Sequence, residues 1–436
     1  MEPQFASRRR KLLKQIPNEA ALFVAPSVAT ASRDVDKEFF QNPDLFYLTG
    51  FSEPDCALLL IAKSQGPRSI LYLRERDPQK EVWTGERLGI KRARQRFTID
   101  EVRNINELES DLYILLKQTR ALHYALGLHP EVDRTVVDIM SSNLGPRFDF
   151  PNQLKDSRLI TSEMRFVKER DEVKSLKHVA DITAYGFLAL LPELKRSTSE
   201  LHAARTLEAH FTRLGSNQLA FPTIVASGKH ATCLHHSPTL HPLWKRELVL
   251  IDAGARFQGY CGDITRTVPV SGKFPSPHAE VYDVVQQALK KACEKAAPEV
   301  TMDAIHQVAV KELTKGLIEL GILKGEVSEN VSKGTYKKFF MHRTGHFLGL
   351  DVHDISPVRY NAMGVATHPY SLPLQPGNVF TVEPGLYFDP KDQSIPKHFR
   401  GIGIRIEDDV LITSNGHTVL TSSVPSEREA LEALIE

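Results

Sequence analysis

Two aspartates, Asp252 and Asp263, lie eleven residues apart in a stretch that the sequence predicts to be a β-hairpin. Residues 247–256 are mostly apolar, and residues 259–268 carry the β-branched and aromatic side chains that are typical of a returning strand. If residues 257–258 form the turn, Asp252 lies directly across from Asp263. Opposed residues of an antiparallel pair share one face of the sheet, with Cβ atoms about 4.5–5.5 Å apart.

Two ionised carboxylates at that separation repel each other, and each shifts the pKa of the other unless a cation lies between them. No lysine or arginine occurs from residue 247 to residue 255, so a metal ion is the better candidate for that cation. The hairpin alone leaves an alternative open, in which the two aspartates are solvated on an exposed face.

Three downstream segments add further groups of the kind that bind metal ions. His342 and His346 lie four residues apart, and Glu383 and Glu407 each lie inside an apolar, β-forming run. A carboxylate in such a run must be ion-paired, hydrogen-bonded or bound to a metal. With the two aspartates, the chain therefore has four acids and a histidine in successive strand-like segments, which predicts a dinuclear metal site.

The order of these residues resembles the ligand order of the pita-bread metallopeptidases, a group that includes methionine aminopeptidase, aminopeptidase P and prolidase. The five matching positions are Asp252, Asp263, His346, Glu383 and Glu407. Similarity to aminopeptidase P or prolidase extends to the neighbouring residues, at 251–254, 262–267, 381–385 and 403–409. Residues 42–54 resemble the N-terminal-domain motif of bacterial-type aminopeptidase P, so the resemblance covers nearly the whole chain.

The pattern of apolar residues changes near residue 160. Before that point predicted strands and helices alternate, as is typical of an α/β domain. The predicted strands are 20–25, 56–62 and 69–73, and the predicted helices are 107–119 and 132–144. After it, a long helix beginning near Glu169 is followed by clustered antiparallel strands, with a hairpin predicted at Ser414-Asn415-Gly416. This second pattern predicts an α+β domain.

Together, pattern and resemblance imply an α/β aminopeptidase P-type domain at residues 1–160 and an α+β pita-bread (creatinase/aminopeptidase-like) catalytic domain at residues 161–436. The implied activity is that of a metallo-aminopeptidase that hydrolyses the N-terminal Xaa-Pro bond of peptides with proline second, through a hydroxide shared by two metal ions. A prolidase restricted to dipeptides is compatible with the same ligands. A non-enzymatic binding module of this fold is the third alternative; it would be expected to lack metal ligands, and this chain retains all five.

Four carboxylates and one imidazole form a hard ligand set, which favours Mn²⁺ and leaves Co²⁺, Fe²⁺ or Zn²⁺ as alternatives. The resembled enzymes typically use two Mn²⁺. The implied positions are Asp263 and Glu407 for the two bridging ligands, Asp252 for one ion, and His346 and Glu383 for the other. A pair of ions lowers the pKa of a shared water and stabilises an oxyanion. Glu383, beside that water, is also expected to shuttle its proton.

The resemblance implies roles for three further histidines. His353 is expected near the scissile carbonyl, where it would donate a hydrogen bond to the tetrahedral intermediate. His342 and His235 are expected in the substrate pocket, with His235 in the second sphere of the metal site. For each of the three, a purely structural histidine is the alternative. The loop around His235 carries more histidines, for which an independent metal site is not expected: His230, His236 and His241.

Three more residues are candidates for contact with the substrate. Arg405 lies two residues before Glu407, so on a strand both side chains face the same way. Arg405 is therefore expected either to orient carboxylate ligands or to meet the substrate. Tyr387 and Trp83 are candidates for an apolar pocket, with core packing as the alternative for both.

Composition argues against several other classes of function. The balance of 55 lysines and arginines against 54 aspartates and glutamates removes the electrostatic case for nucleic acid as a main partner. No apolar run approaches the roughly 18 residues of a membrane span. Four cysteines without CxxC spacing predict reduced thiols in a cytoplasmic protein. The basic cluster at residues 8–11 is expected on a solvated helix face, and the resemblance implies a homodimer or homotetramer.

Overall fold

A computed structural model describes residues 2–63, 66–142, 149–360 and 364–435. The chain divides into two compact units, Met1–Met164 and Arg165–Glu436. Among the helices of the described ranges, none combines the length and the apolar character that a membrane crossing requires.

The secondary structure is numbered here in chain order. The α-helices are α1 (Glu2–Gln15), α2 (Pro43–Thr49), α3 (Pro78–Thr84), α4 (Gly89–Arg96), α5 (Leu108–Leu115), α6 (Pro130–Ser141), α7 (Arg158–Phe166), α8 (Arg170–Glu193), α9 (Glu200–Arg213), α10 (Ser276–Lys295), α11 (Met302–Glu319), α12 (Val327–Lys333) and α13 (Arg428–Ile435). The 3₁₀ helices are Ile105–Glu107, Leu194–Arg196, Gly228–Thr232, Thr335–Lys338, Pro369–Ser371 and Lys397–Phe399.

The strands are short, as the clustered β-forming segments predicted. They are β1 (Ala20–Val24), β2 (Thr30–Ser32), β3 (Val35–Asp36), β4 (Ala57–Lys63), β5 (Gly66–Leu73), β6 (Glu101–Asn104), β7 (Ala121–His123), β8 (Gln153–Lys155), β9 (Gln218–Leu219), β10 (Ile224–Ser227), β11 (Leu248–Ala253), β12 (Ala255–Phe257), β13 (Tyr260–Cys261), β14 (Ile264–Pro269), β15 (Arg359–Tyr360), β16 (Ala366–Thr367), β17 (Val379–Val382), β18 (Gly385–Tyr387), β19 (Gly403–Arg405), β20 (Asp408–Thr413) and β21 (Gly416–Val419).

The first unit is built on a six-stranded sheet in the order β6-β5-β4-β1-β7-β8. Strand β4 runs antiparallel to both neighbours, whereas the pairs β5–β6, β1–β7 and β7–β8 are parallel. The predicted strands and helices of this region are confirmed, and the predicted helix end at 143–144 lies outside the described residues. One face of the sheet packs against α5 and α6 through a core that includes Leu22, Leu59, Leu112 and Ile139.

The prediction that the basic cluster of α1 is solvated holds for Arg10 and Lys11, which are exposed, but is wrong for Arg8 and Arg9, which are 1% and 4% exposed. The Arg8 guanidinium lies 4.1 Å from the centre of the Tyr47 ring and donates to the Tyr47 carbonyl. Arg9 donates to the Leu48 carbonyl at 2.6 Å. The last carbonyls of a helix such as α2 have no partner within it. The two arginines supply donors to them, which a charge pattern alone does not reveal.

Glu19 carries a stability prediction for the first unit. This carboxylate is 2% exposed and binds Arg120, the His123 ring at 2.6 Å and the Lys155 ammonium at 2.8 Å. Burial alone would raise the pKa of Glu19, but hydrogen bonds from Lys155, His123 and Arg120 lower it to about 2. We therefore expect Glu19→Gln to reduce the free energy of unfolding at neutral pH by on the order of 3 kcal/mol.

Urea unfolding followed by circular dichroism measures this effect, with the exposed Glu131→Gln as the control in the same unit. Because the folded-state pKa of Glu19 is depressed, its contribution is complete above the unfolded-state pKa of 4.5 and is lost as pH falls towards about 2. The difference between Glu19→Gln and wild type should therefore shrink over that range. A difference that stays constant with pH would contradict the ionic origin of the effect.

The second unit begins with the long helix α8, which confirms the helix predicted from Glu169. The Glu169 carboxylate and Glu172 form a reciprocal capping box at its start. The strands of this unit form small antiparallel sheets, with orders β10-β11-β14, β13-β12-β9 and β17-β20-β21, and the pair β18–β19. The predicted hairpin after Thr413 is confirmed, since Thr413 pairs with Gly416.

The predicted register of the Asp252 hairpin is wrong. Its turn is Gln258-Gly259, with φ angles of 49° and 83°, so Phe257 pairs with Tyr260. Positive φ at both central residues is typical of a type I′ hairpin turn, in which glycine is favoured. Asp252 consequently pairs with Thr265 rather than Asp263. Side chains alternate with a period of two residues, so a shift of two leaves both aspartates on the predicted face.

Candidate metal centre and active site

Short stretches of β-pairing bring the five predicted ligands together. Asp252 is the penultimate residue of β11, and Asp263 immediately precedes β14, which pairs with β11. Glu407 lies between β19 and β20 and forms an isolated antiparallel bridge with Thr265. Glu407 is therefore held beside the start of β14, next to Asp263.

His346 and Glu383 reach the same place through a second pairing. Phe347 forms an antiparallel bridge with Phe380 of β17, and the Glu383 amide donates to the Thr344 carbonyl at 2.9 Å. Gly345 is required at this crossing, because a Cβ atom there would collide with the Thr381 carbonyl. Residues 342–346 are therefore held along the end of β17 without belonging to a helix or a strand themselves.

The polar atoms of these residues converge. The His346 Nε2 atom lies 3.5 Å from Asp263 Oδ2 and 3.9 Å from Glu383 Oε1. Potential ligand atoms of Asp263, His346 and Glu407 all lie within 4.8 Å of one another. The Thr265 hydroxyl donates to Glu407 Oε2 at 2.7 Å, which leaves the other Glu407 oxygen available to a ligand.

The electrostatics of the cluster fit a bound cation. Burial and the charges of Glu407 and Asp252 raise the pKa of Asp263 well above its usual value. Burial and the charge of Glu407 do the same for the pKa of Glu383, and burial with Asp252 raises the pKa of Glu407 to about 8. The Asp252 and Asp263 Oδ1 atoms are buried and, within the described part of the chain, have no hydrogen-bond partner. Divalent cations would offset this repulsion and satisfy both oxygens.

Arg405, a predicted pocket residue, is ion-paired with the predicted ligand Asp252. It is 4% exposed, and its guanidinium donates to Asp252 Oδ2 at 2.6 Å and to the Tyr387 hydroxyl at 3.0 Å. The Tyr387 hydroxyl also lies 2.9 Å from His342 Nε2. Burial and the Arg405 charge lower the pKa of His342 to about 4, so this imidazole is neutral at physiological pH.

His353 and His235 lie beside the cluster. The His353 ring centre is 4.3 Å from that of His346, and its side chain is exposed. Partial desolvation by neighbouring groups and the nearby His235 lower the pKa of His353, and His235 also contributes to the low pKa of His342. All three predicted pocket histidines are therefore neighbours in the second unit.

The two aromatic candidates differ in their surroundings. Tyr387 is 2% exposed and bonded to Arg405, as described above. Trp83 belongs to α3 in the first unit and is 88% exposed, so the alternative that it packs in a core is wrong. Its role at a pocket remains a prediction.

Two supporting acids were not singled out from the sequence. The Asp409 carboxylate accepts a hydrogen bond from the Asp263 amide at 3.1 Å, and burial raises the pKa of Asp409 well above its usual value. Asp408 binds the buried Arg266, which also donates to the Glu407 carbonyl at 2.6 Å. The signal available was the run of three acids inside a β-forming segment, where alternation sends neighbours to opposite faces.

A second group of residues has ligand atoms close enough to hold a metal ion, namely Glu200, His230 and His236. It lies in the histidine-rich loop for which the sequence analysis did not expect an independent metal. Glu200 is fully buried and was not singled out, because its partners lie 27 to 39 residues away along the chain.

Comparison with known proteins places these features in a family. Residues 174–414 match the model of metallopeptidase family M24, and residues 5–123 match that of the aminopeptidase P N-terminal domain. A Haemophilus influenzae Xaa-Pro aminopeptidase is 36% identical over 433 residues, 99% of this chain and 97% of that protein.

Solved structures of bacterial aminopeptidase P also superpose on this chain. Escherichia coli aminopeptidase P with the inhibitor Pro-Leu superposes with a TM-score of 0.92 at 36% identity, covering 99% of this chain and 97% of that one. Proline aminopeptidase P II from Yersinia pestis gives the same TM-score at 35% identity, covering 100% and 99%.

The fold and the cluster of acids define a metallopeptidase with a pita-bread catalytic domain. The chain belongs to metallopeptidase family M24 and, through its N-terminal domain, to the Xaa-Pro aminopeptidase (aminopeptidase P) group of that family. The resemblance and the fold class inferred from the sequence are thereby confirmed.

Proposed function

We propose that this Xaa-Pro aminopeptidase releases the first residue from peptides that carry proline at the second position. The observation that carries the proposal is the convergence of Asp263, His346 and Glu407 around one point, with Asp252 and Glu383 beside them. A bound cation would offset the repulsion between these buried acids and favour their ionised forms, which supports a metal site over a merely structural cluster. Asp252 Oδ1 and Asp263 Oδ1, which are buried and have no hydrogen-bond partner in the described part of the chain, also support the proposal.

The proposed cofactor is a pair of Mn²⁺ ions, which suit four carboxylates and one imidazole. The residues that would hold them are Asp252, Asp263, His346, Glu383 and Glu407. When bound, the ions supply activation of water and positive charge for the oxyanion that develops at the scissile carbonyl. Glu383 is proposed to accept the proton of the attacking water and to return it to the departing nitrogen.

The histidines are proposed to act on the substrate. His353 is exposed beside the metal ligands, so it can donate a hydrogen bond to the developing oxyanion. His342 is held by Tyr387 and by its own Nδ1 contact with the Arg343 carbonyl, which leaves a neutral, oriented ring at the pocket wall. His235 is near enough to both rings to lower their pKa values, and it is proposed to line the same pocket.

Arg405 and Tyr387 are proposed to shape that pocket. The short ion pair of Arg405 with Asp252 supports the interpretation that it orients a carboxylate ligand. Its second hydrogen bond, to Tyr387, extends that support to His342. Trp83, whose ring is exposed on α3 of the first unit, stays a proposed apolar-pocket residue.

Proline explains why a metal-dependent site suits this substrate. An Xaa-Pro bond has no amide N–H, and the ring fixes φ, so the extended hydrogen-bonded mode of most peptidases is closed to it. A site that activates the carbonyl and binds the free α-amine does not need that N–H. The neutral rings of His342 and His353 are compatible with an apolar pyrrolidine ring between them.

The remaining sequence-based inferences stand as proposals. Domain limits of 1–160 and 161–436 are supported by the compact units, which meet between Met164 and Arg165. A cytoplasmic location is supported by four cysteines that remain thiols. A homodimer or homotetramer is proposed on the resemblance alone.

Peptide length and the second residue provide the functional test. We expect hydrolysis of Xaa-Pro-Yaa peptides, because an aminopeptidase must leave the pocket open beyond proline. Replacing proline by alanine should lower kcat/KM by at least about a hundredfold, since a pocket shaped for the ring loses its contacts. Liquid chromatography of released amino acids measures both.

Xaa-Pro dipeptides are the matched comparison. A prolidase must capture the carboxylate that directly follows proline, and so it would cleave dipeptides and refuse tripeptides. That outcome would replace the aminopeptidase assignment. Refusal of every proline-containing peptide by the metal-loaded protein would instead favour a non-enzymatic binding module.

A further inference from the structure

Glu200, the first residue of α9, is 0% exposed, and each of its carboxylate oxygens receives three hydrogen bonds. Oε1 accepts from the Ser227 amide at 2.9 Å and hydroxyl at 3.0 Å, and from His230 Nδ1 at 2.8 Å. Oε2 accepts from His236 Nε2 at 2.9 Å, and from the Thr239 amide at 3.1 Å and hydroxyl at 2.8 Å. These five residues are called the Glu200 cluster below.

Hydrogen bonds to Glu200 hold both ends of one segment, residues 227–239. This segment starts at the last residue of β10, which pairs with the Asp252 strand β11, and it includes the 3₁₀ helix Gly228–Thr232. The first turn of α9 adds backbone hydrogen bonds, from the Glu200 amide to the His241 carbonyl at 3.1 Å and from the Leu201 amide to the Thr239 carbonyl at 2.9 Å.

His235 lies within residues 227–239, directly before His236. The preceding carbonyl, that of Leu234, accepts from Arg405 at 3.4 Å. On the same side, a Cβ atom on Gly403 would collide with the Ala231 carbonyl, so β19 packs closely on the segment. The His235 backbone is therefore fixed on one side by the Glu200 cluster and on the other by the strand that carries Arg405.

A metal ion at the Glu200 cluster is the competing explanation. An ionised carboxylate offers about four lone-pair directions, and Glu200 already receives six hydrogen bonds. Hydrogen bonds from Ser227 and the histidines outweigh burial and lower the pKa of Glu200 to about 2, so it is ionised and accepts only. His230 Nδ1 and His236 Nε2 must then carry protons, so neither of these nitrogens can bind a metal together with Glu200. Each histidine keeps a second nitrogen, and the variants below test that nitrogen.

We infer that Glu200 is a positioning residue for this peptidase, which holds His235 in the active site through the segment 227–239 and binds no metal of its own. The inference rests on the proposed function of His235 as a pocket histidine. In this inference His230 and His236 act only as hydrogen-bond donors to Glu200. Any side chain with an N–H group at the same place should therefore replace either imidazole.

A double-mutant cycle between Glu200 and His235 tests the positioning role. Glu200→Gln replaces one accepting oxygen by an amide that faces donors, so the segment should lose its fixed geometry. We expect kcat/KM on an Xaa-Pro-Yaa peptide to fall by about 10- to 100-fold, since a displacement of about 1 Å costs that much. In the His235→Ala background, Glu200→Gln should have almost no further effect.

Two measurements separate this role from general damage. Bound Mn²⁺ per chain should be the same in Glu200→Gln and wild type, and amide deuterium exchange should accelerate at residues 228–238. Glu19→Gln, an equally buried glutamate in the first unit, should lower stability without this change in kcat/KM. Independent, multiplicative effects of Glu200→Gln and His235→Ala would overturn the inference.

The pair of variants His230→Asn/His236→Gln and His230→Ala/His236→Ala distinguishes hydrogen bonding from metal binding, even if Glu200→Gln fails to fold. Asn and Gln keep an N–H donor near each original nitrogen, so activity within about threefold of wild type is expected, whereas the double alanine variant should resemble Glu200→Gln. Titration with Zn²⁺ and Mn²⁺ should give the same stoichiometry for wild type and His230→Asn/His236→Gln. Loss of one bound ion in that variant would overturn the inference in favour of a third metal.

Failure of the proposed function has a different signature. If metal-loaded wild type cleaves no proline-containing peptide, the aminopeptidase assignment fails, whereas deuterium exchange still reports on the Glu200 cluster. Unchanged exchange at residues 228–238 in Glu200→Gln would overturn the positioning role whatever the activity.

Discussion

Asp263→Asn should reduce kcat by at least about 10³-fold and lower the content of bound metal. Asp263 lies at the centre of the cluster, with His346 Nε2 at 3.5 Å and Glu407 close enough to share a ligand position. The loss of about 4 kcal/mol of transition-state stabilisation corresponds to this factor, and the proposed ions would lose a ligand oxygen of Asp263. Steady-state kinetics on an Xaa-Pro-Yaa peptide and metal analysis of the purified variant measure the two effects.

Removal of metal from wild type should have the same consequence. Dialysis against a chelator is expected to abolish hydrolysis, and Mn²⁺ is expected to restore it best among Mn²⁺, Co²⁺, Fe²⁺ and Zn²⁺. Asp303→Asn is the aspartate control for Asp263→Asn, because Asp303 pairs with Arg343 and is not one of the predicted ligands. Full activity of thoroughly metal-free protein would contradict a metal-dependent mechanism.

His353→Ala should lower kcat by about 10²- to 10³-fold with little change in KM. Its ring lies beside that of His346 and its side chain is exposed, so its proposed hydrogen bond forms mainly with the oxyanion. Contacts made only in the transition state act on kcat, and the loss of one such donor typically has this size.

Metal analysis provides the check on that role. His353→Ala should retain the wild-type amount of bound Mn²⁺, in contrast to Asp263→Asn. The exposed His398→Ala, in a 3₁₀ helix away from the predicted ligands, serves as the histidine control. An emptied metal site in His353→Ala would show that His353 supports the ligands and does not act on the substrate.

The Asp252 hairpin shows how far local reasoning reaches. The strands, the shared face and the need for a cation follow from alternation and charge, which are encoded within about twenty residues. The exact pairing partner did not follow, because the choice between turns at 257–258 and 258–259 depends on where a positive φ is tolerated. Gly259 tolerates it at little steric cost, and Gln258 adopts it in the completed hairpin.

Charge patterns were a weaker guide where partners are distant in sequence. Arg8 and Arg9 form a basic run that is typical of a solvated face, yet both bind carbonyls 39 residues away. Glu200 appears as one acid among many in a helical segment, and its burial depends on donors from Ser227 to Thr239. Neither arrangement leaves a periodic signal, because hydrogen-bond partners far apart in the chain impose no spacing.

By itself, the sequence determined the division into two domains and the main strands and helices, because these depend on local periodicity. It also determined the ordered set of candidate ligands, because each is recognised by its chemistry in a local context: Asp252, Asp263, His346, Glu383 and Glu407. The tertiary structure alone decided which groups surround them. It set Arg405 against Asp252, placed Asp409 behind Asp263, and anchored the His235 segment on Glu200. These contacts join separate strands and helices, and only packing of the whole unit brings such groups within hydrogen-bonding distance.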